Sequence, residues 1–404
     1  AVSPAGSTTP DRARNIRAAP TPPARATITP GGYRPYDLRS VVTVAFDATP
    51  LLGDRTGVGN AVNGWLGELA GRADLSIRAY GLTGAGWRRL PSRLPAGVAP
   101  PRLPLPAGAM LRLWPRVDLP PVEWATGAVQ VVHGTNFVVP PSRRAARVVS
   151  VWDLTFVRFP ELCTPTTLRY PALIARAVAQ GATVHVTSRA VADEVAEHFG
   201  VEPDRVAVVA PGVGRPSSPP PVPAAGGRPY VLALGTTEPR KDLPGLVAAF
   251  DRMAGAQPDL ELRIAGPPGW GEDALGLAIA SATHRDRIHR LGWVADRDAL
   301  LAGATVFAYP SRYEGFGFPP LEAMAVGVPV VSTRTGAIPE VLGDAALLVP
   351  VGDVDALAGA LERLVVDAEE RRRLIAAGSV RVARYSWTQA GDGLADLYRR
   401  VAAG

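Results

Sequence analysis

Tyr230-Val231-Leu232-Ala233-Leu234-Gly235-Thr236-Thr237-Glu238-Pro239-Arg240-Lys241-Asp242 reads as a five-residue apolar run, a glycine-opened loop with two adjacent cations, and then a helical pattern over Leu243–Met253. An unbroken apolar run has no polar face, so it predicts a strand buried on both sides, as in a parallel sheet. A strand, loop and helix in that order form the unit of a doubly wound α/β domain. Downstream, short apolar runs recur at Leu260–Ala265, Arg287–Leu291, Val306–Tyr309 and Val328–Ser332, with a helix over Pro320–Ala325. Upstream the same alternation appears at Val41–Phe46, Val129–Val132, Arg147–Val151 and Thr183–Val186. Helical patterns there cover Ala61–Leu69, Leu168–Gln180 and Arg189–Phe199. Between the two sets, the proline run Arg215–Pro223 reads as a stiff linker. The expectation is two doubly wound, Rossmann-like α/β domains with a cleft between them, the usual place for a ligand.

Composition narrows the class. The 404 residues carry 43 Lys plus Arg against 37 Asp plus Glu, a net charge of +6, with 47% apolar residues. The single cysteine, Cys163, excludes a disulfide framework and multi-cysteine metal sites. No run reaches the roughly 18 apolar residues of a membrane-spanning helix. Residues 1–38 are rich in proline and arginine without apolar periodicity and are expected to be a disordered tail. Residues 39–214 are then expected as an N-terminal domain and 215–228 as linker. Residues 229–385 follow as a C-terminal domain and 386–404 as a terminal helix. The basic balance raises nucleic acid as a partner, but the arginines are scattered and interleaved with acids, so none is expected. Among the 43 basic residues Lys241 is the only lysine. A compact ammonium suits a tight phosphate pocket in a way that the planar guanidinium does not.

Four segments could carry chemistry. In the first, Gly235, Thr236, Arg240 and Lys241 lie after a strand and before a helix, a setting for a diphosphate. A basic pair on a loop is otherwise simply solvated. In the second, Tyr313-Glu314-Gly315-Phe316-Gly317-Phe318-Pro319-Pro320-Leu321-Glu322, one carboxylate sits on a glycine-rich loop and another one turn into a helix. Such carboxylates can accept from sugar or ribose hydroxyls. Gly315 and Gly317 let backbone N–H groups approach a ligand, while Glu322 could instead merely complement its helix dipole. The third is Thr56-Gly57-Val58-Gly59, weak by itself because turns need glycine anyway. The fourth is His133, which ends a strand on the cleft side, whereas His185, His198, His284 and His289 read as structural. Asp353-Val354-Asp355 spells a metal-binding pattern, but its place before a helix makes a cap the better reading. No metal site is expected.

These residues resemble the retaining glycosyltransferases of the GT-B fold, glycosyltransferase family 4. The likeness is carried by Gly235-Thr-x-Glu-Pro-Arg-Lys241 and by Tyr309-Pro-Ser-x-Tyr-Glu-Gly-Phe-Gly-Phe-Pro-Pro-Leu-Glu-Ala-Met-Ala-x-Gly-x-Pro-Val-Val, with Glu314 and Glu322 as the family's Glu-x7-Glu pair. It covers Tyr230 to about Leu361 and is looser through Gly57-Val58-Gly59, His133-Gly134-Thr135-Asn136 and Asp153-Leu154-Thr155-Phe156. Three positions depart from it. Trp152 stands where many relatives have His, Thr236 where some have Arg, and Asp242 where Asn is common.

The resemblance implies transfer of a hexose, mannose favoured, from a GDP- or UDP-sugar to a glycan or lipid-linked acceptor, with retention and without a metal or other cofactor. By the same analogy Lys241 and Arg240 steady the leaving diphosphate, with N–H groups from Gly57 and Gly59. Glu322 holds the ribose, and Glu314 the sugar hydroxyls beside the Gly315, Phe316 and Gly317 amides. Trp293 and Val294 border the base, and His133 lies against the sugar. The competing readings are a non-catalytic nucleotide-sugar-binding subunit and a phosphorylase on the same fold. A cytoplasmic protein is expected, with peripheral contact at the inner face of the cell membrane as an option.

Overall fold

The computed structural model describes residues 41–53, 57–214 and 227–404. The expected tail over 1–38, and most of the expected linker, lie outside these residues. Among the described residues, twelve strands form two parallel six-stranded sheets. The first sheet holds β1 (Val42–Asp47), β2 (Leu75–Tyr80), β3 (Val131–Gly134), β4 (Ala146–Val151), β5 (Thr183–Val186) and β6 (Val206–Val208), in the order β2-β1-β3-β4-β5-β6. The second holds β7 (Tyr230–Leu234), β8 (Glu261–Ala265), β9 (Ile288–Gly292), β10 (Val306–Tyr309), β11 (Val330–Thr333) and β12 (Ala346–Val349), in the order β12-β11-β10-β7-β8-β9. Strand order reverses between β1 and β3 in the first sheet and between β7 and β10 in the second. At such a switch point, consecutive helices leave to opposite faces and open a crevice beyond the carboxyl ends of the strands.

Each sheet is covered on both faces, which is why its strands carry no polar side. Val231 and Ala233 of β7 pack into one core with Leu246, Phe250 and Leu361, while Tyr230, Leu232 and Leu234 pack into the other with Phe307, Leu321 and Ile338. In the first sheet, Val44 and Phe46 face the helix Gly57–Ala70, whereas Ala45 faces Trp114 and Met110. Residues 97–126, which lack regular periodicity, cover that second face through Leu105, Met110, Trp114, Val122 and Ala125. The last helix, Trp387–Ala403, packs onto the first sheet through Ala390, Leu394, Leu397 and Tyr398, beside Trp65 and Leu69.

Local signals set the helix ends. Asp353 caps the helix Val354–Val366 by accepting from the Ala356 N–H, 2.9 Å away. Ser188 caps Arg189–Phe199, which ends at the left-handed Gly200. Asp242, just before the helix Leu243–Ala254, has φ +49°. Among residues with a side chain, Asn and Asp tolerate that conformation best, which accounts for Asp where Asn is common. Among the described residues no helix is long and apolar enough to cross a membrane.

Candidate active site

The loop after β7 and the loop after β10 meet at the switch point of the second sheet. Gly235 leaves β7 at φ +145°, a region that favours glycine. A Cβ on Gly266 of the neighbouring loop would lie 2.1 Å from the Gly235 carbonyl oxygen, so Gly266 needs glycine for close packing, whereas Gly235 needs it for its backbone conformation. The tight turn Pro239–Lys241 then carries Arg240 and Lys241 back over the strand ends. Their side chains converge on one carboxylate. Glu314 Oε1 lies 2.6 Å from Lys241 Nζ and 2.7 Å from Arg240 Nη1. Arg240 also donates to the Tyr313 carbonyl at 2.8 Å, and Lys241 donates to the Tyr309 hydroxyl at 2.5 Å while lying over the Tyr309 ring.

This group is nearly closed to water, and Glu314 is 7% exposed. Burial alone would raise the Glu314 carboxyl, but the two cations outweigh it and hold it at about 2. Burial pulls Lys241 below the ordinary lysine value against the opposing pull of Glu314, and Arg240 is driven well above its own value by Glu314, Asp153 and Glu238 despite its burial. Glu238 Oε2 also lies 3.3 Å from Arg240 Nη2, so two cations meet two carboxylates at the mouth of β7. The positions of both cations are thus set before any ligand arrives, and an anion that takes the place of these carboxylates would meet them there.

The first sheet meets the loop after β10 with the segments that follow β4 and β5, through Leu154 and Ser188. Gly57 opens the helix Gly57–Ala70, and a Cβ there would lie 3.3 Å from the Phe318 ring. Phe318 in turn begins the helix Phe318–Ala325, which follows the left-handed Gly317 and takes Pro319 and Pro320 in its first turn. The N-terminal ends of two helices, one packed on each sheet, therefore meet in this seam, and their dipoles favour a negative ligand there. Gly315 sits in the seam. Its carbonyl accepts from the Ser188 hydroxyl at 2.9 Å, and a Cβ would strike the Trp152 carbonyl oxygen at 1.8 Å.

The remaining candidates fall in three ways. Phe316 is buried against Phe318 and Tyr385, so only its backbone can face a ligand. Thr236 is half-buried beside Gly235 and lines a small pocket with Lys241 and Tyr309. Glu322 is paired with Arg297 across the helix Phe318–Ala325, a partner that the sequence reading did not foresee. Trp293 is 65% exposed at the rim after β9, while Val294 packs partly into the second-sheet core.

His133 is a correction. It is wholly buried, with Nδ1 2.6 Å from the Tyr398 hydroxyl and Nε2 2.8 Å from the Ser150 hydroxyl. Ser150 continues 2.8 Å to His185 Nδ1, and His185 Nε2 lies 3.0 Å from the Val209 carbonyl. A carbonyl only accepts, so the direction of the thread follows. His185 donates from Nε2, Ser150 donates to His185, His133 donates from Nε2, and Tyr398 donates to His133. Every polar atom of both imidazoles is used inside the core, and burial pushes both rings to the neutral form, His185 to about 4. No face of His133 is left for a sugar. Trp152 closes the same core, stacked 5.2 Å from Trp65 and donating to the Thr135 carbonyl at 2.8 Å.

Two groups were missed in the sequence. Glu340 reaches from the second half to the first and accepts from the Arg189 and Ala190 N–H groups, both at 2.9 Å, at the start of the helix Arg189–Phe199. Tyr313 packs in the same seam, accepting from the Leu154 N–H at 3.2 Å and donating to Glu194. A helix cap supplied across a cleft leaves no local pattern in the chain.

Asp47, at the carboxyl end of β1, is 2% exposed and accepts from the Thr49 N–H at 2.9 Å and the Thr49 hydroxyl at 2.5 Å. Burial outweighs these bonds and raises its carboxyl to about 6. A raised acid stabilises the folded chain below the unfolded value, and that contribution is lost as pH rises through about 6. Asp47→Asn is therefore expected to gain on the wild type by roughly 2–3 kcal/mol as pH rises from about 4 to about 7.5. Chemical denaturation at the two pH values checks this, and a constant difference would refute it.

Comparison with known proteins agrees with this geometry. Residues 215–381 match the family model described as glycosyl transferases group 1. The sucrose-phosphate synthase of Thermosynechococcus elongatus superposes with a TM-score of 0.69 at 19% identity, over 90% of this chain and 99% of that one. The fold is GT-B. In sequence, the O-antigen chain mannosyltransferase B of Escherichia coli is 39% identical over 161 residues, which are 39% of this chain and 42% of that protein. The MMP alpha-(1->4)-mannosyltransferase of Mycolicibacterium hassiacum is 33% identical over 239 residues, 57% of this chain and 56% of that protein. The matches thus span about half the length of these two relatives. The family model falls on the half that carries Lys241, Arg240, Glu314 and Glu322, and the fold match extends the GT-B likeness to the half that carries Gly57 and Gly59.

Proposed function

We propose that this chain is a retaining glycosyltransferase that moves a hexose, mannose favoured, from a nucleotide-diphosphate sugar to a glycan or lipid-linked acceptor. The observation that carries this reading is the convergence of Lys241 and Arg240 on Glu314 at the β7–β10 switch point, between two helix N-termini. The names of both sequence relatives support mannose as the sugar.

The chemistry follows from the charges. The bond from the anomeric carbon to the diphosphate oxygen breaks, and its electron pair stays on the diphosphate. Lys241, Arg240 and the N–H groups at the start of the helix Gly57–Ala70 meet that growing charge with no reorganisation, which is where an enzyme gains most. The acceptor hydroxyl bonds to the anomeric carbon on the face the diphosphate leaves, and its proton goes to the departing phosphate. Glu314 positions the two cations and receives a sugar hydroxyl. Glu322 serves the ribose once the ligand competes with Arg297. Because the protein supplies the cations, we read the transfer as independent of metal.

The test is turnover of GDP- and UDP-linked hexoses with EDTA present, following slow donor hydrolysis where the acceptor is unknown. GDP-mannose is expected to be consumed in EDTA with release of GDP. Turnover that needs added Mg²⁺ or Mn²⁺ would overturn the metal-independent part. Tight binding of a nucleotide sugar with no release, in the presence of crude lipid and glycan acceptors, would favour a binding subunit.

A further inference from the structure

The carboxylate of Glu314 is held by Lys241 and Arg240, but its backbone rests on another segment. Residues 335–337 carry it. The Thr335 hydroxyl donates to the Arg312 carbonyl at 2.8 Å, and the Ala337 N–H donates to the Glu314 carbonyl at 2.9 Å. Gly336, at φ +47°, lies so close that a Cβ there would meet the Glu314 carbonyl oxygen at 2.2 Å. Any shift of this turn is therefore passed straight to Glu314. The short helix Ile338–Leu342 continues the turn. Arg381 fastens that helix to the second half by donating to the Glu340 carbonyl and, at 2.7 Å, to the Val341 carbonyl.

The Glu340 side chain reaches the other way. Its two oxygens accept from the Arg189 and Ala190 N–H groups of the first half, one each, at 2.9 Å. Ser188 accepts from the Val191 N–H at 3.2 Å and donates to the Gly315 carbonyl at 2.9 Å. The first N–H groups of a helix have no partner inside it. Those of Arg189, Ala190 and Val191 find theirs here, two in Glu340 and the third in Ser188. One helix end thus holds the glutamate loop twice, through Gly315 and through the turn beneath Glu314. Ser188 and Gly315 are buried, whereas Glu340 is exposed at the edge of the seam. The outer tie competes with water, so it sets position more than it holds the fold together.

We propose that Glu340 is a positioning residue for Glu314: by capping a first-half helix, it fixes the turn on which the Glu314 backbone rests. The proposal rests on the transferase reading, in which Glu314 serves the donor sugar. Without the Glu340 carboxylate, the turn over residues 335–337 is anchored by the second half alone. The donor diphosphate would still find Lys241 and Arg240, so binding changes little. The Glu314 carboxylate would stand less well aligned with the groups of the first half, and transfer would slow.

The test follows GDP-mannose turnover and amide hydrogen exchange side by side in the full chain. Glu340→Ala is expected to lower kcat about tenfold or more, with the donor KM kept within about threefold. Glu340→Gln is expected to recover most of the loss, because one oxygen can accept from both N–H groups. Asp367 Oδ1 does so, taking the Glu369 and Glu370 N–H groups at 2.9 Å within one half of the chain. Asp367→Ala is thus the matched control, expected to lower the melting temperature by a few degrees and to keep turnover within about twofold. Adding Ser188→Ala to Glu340→Ala is expected to cost more than the product of the single losses, since both ties hold one joint. Exchange at Ala337 is expected to quicken about tenfold in Glu340→Ala and to stay unchanged in Asp367→Ala. Full turnover in Glu340→Ala, a change confined to KM, or an equal fall in Asp367→Ala would overturn the proposal, as would unchanged exchange at Ala337. A wild type that turns over no donor, with exchange quickened as expected in Glu340→Ala, would sink the transferase reading and leave Glu340 as the residue that places Glu314.

Discussion

Lys241→Met is expected to cut turnover of the nucleotide-sugar donor by about 10²–10³-fold while changing its KM by less than about tenfold. The diphosphate carries charge before the reaction and gains more as the bond to the sugar breaks. A cation fixed at that point therefore matters more in the transition state than in the bound complex. Arg240 remains and keeps part of the binding. Lys241→Arg is expected to rescue little, because the ammonium lies over the Tyr309 ring within 2.6 Å of Glu314, a space shaped for a point charge and not for a planar fork. Equal falls in kcat/KM and rises in KM, with kcat unchanged, would show that Lys241 only binds.

The same substitution has a signature in acid. Glu314, held at about 2 by Arg240 and Lys241, contributes stability that is complete above its ordinary value near 4.5 and lost as pH falls toward 2. Without Lys241 its carboxyl moves up toward the ordinary value, so less stability is left to lose in acid. Denaturation midpoints of wild type and Lys241→Met are expected to converge as pH falls from about 6 to about 3. Glu314→Ala is the harsher change, costing about 3–5 kcal/mol because it leaves two buried cations without their shared anion.

The legible part of this site is the part made by neighbours in the chain. The apolar run Tyr230–Leu234 and the residues Gly235 to Lys241 define a strand, a loop and a cation pair within twelve positions, and the two-sided cores around β7 follow from that run. His133 shows where such reading ends. Its place at the end of β3 is correct, yet strand alternation sends its side chain to the face shared with Phe46 and Trp65. That face is sealed by Tyr398, which lies 265 positions further along the chain. No local pattern says whether a distant helix covers one face of a strand. The same holds for Arg297 on Glu322 and for Glu340 at the helix Arg189–Phe199, where each partner comes from another element and carries no mark of its own.

Gly315→Ala is expected to lower turnover by about 10²-fold or more with little effect on the fold of either half. Its φ is not in the left-handed region, so the reason for glycine is space. A methyl group there would lie 1.8 Å from the Trp152 carbonyl oxygen and 2.8 Å from Asp153 Cβ, and both of those atoms belong to the first half. Ordinary contact needs about 3.4 Å, so one side must retreat by more than an ångström. If the loop yields, the adjacent Glu314 shifts against Lys241 and Arg240, and a misplacement of about 1 Å at a reacting centre can cost 10²-fold. If the first half yields, the Ser188–Gly315 hydrogen bond breaks and the helix ends at Gly57 and Phe318 separate. The two routes differ in solution. Displacement of the loop leaves the radius of gyration from small-angle scattering unchanged, and separation of the halves raises it. Ser188→Ala removes this hydrogen bond and the Ser188 cap of the helix Arg189–Phe199 without adding bulk, so it is expected to cost about 2 kcal/mol and to keep most of the turnover. Full activity in Gly315→Ala would mean that the working protein does not close on this loop, and the seam seen here would then lie outside the catalytic cycle.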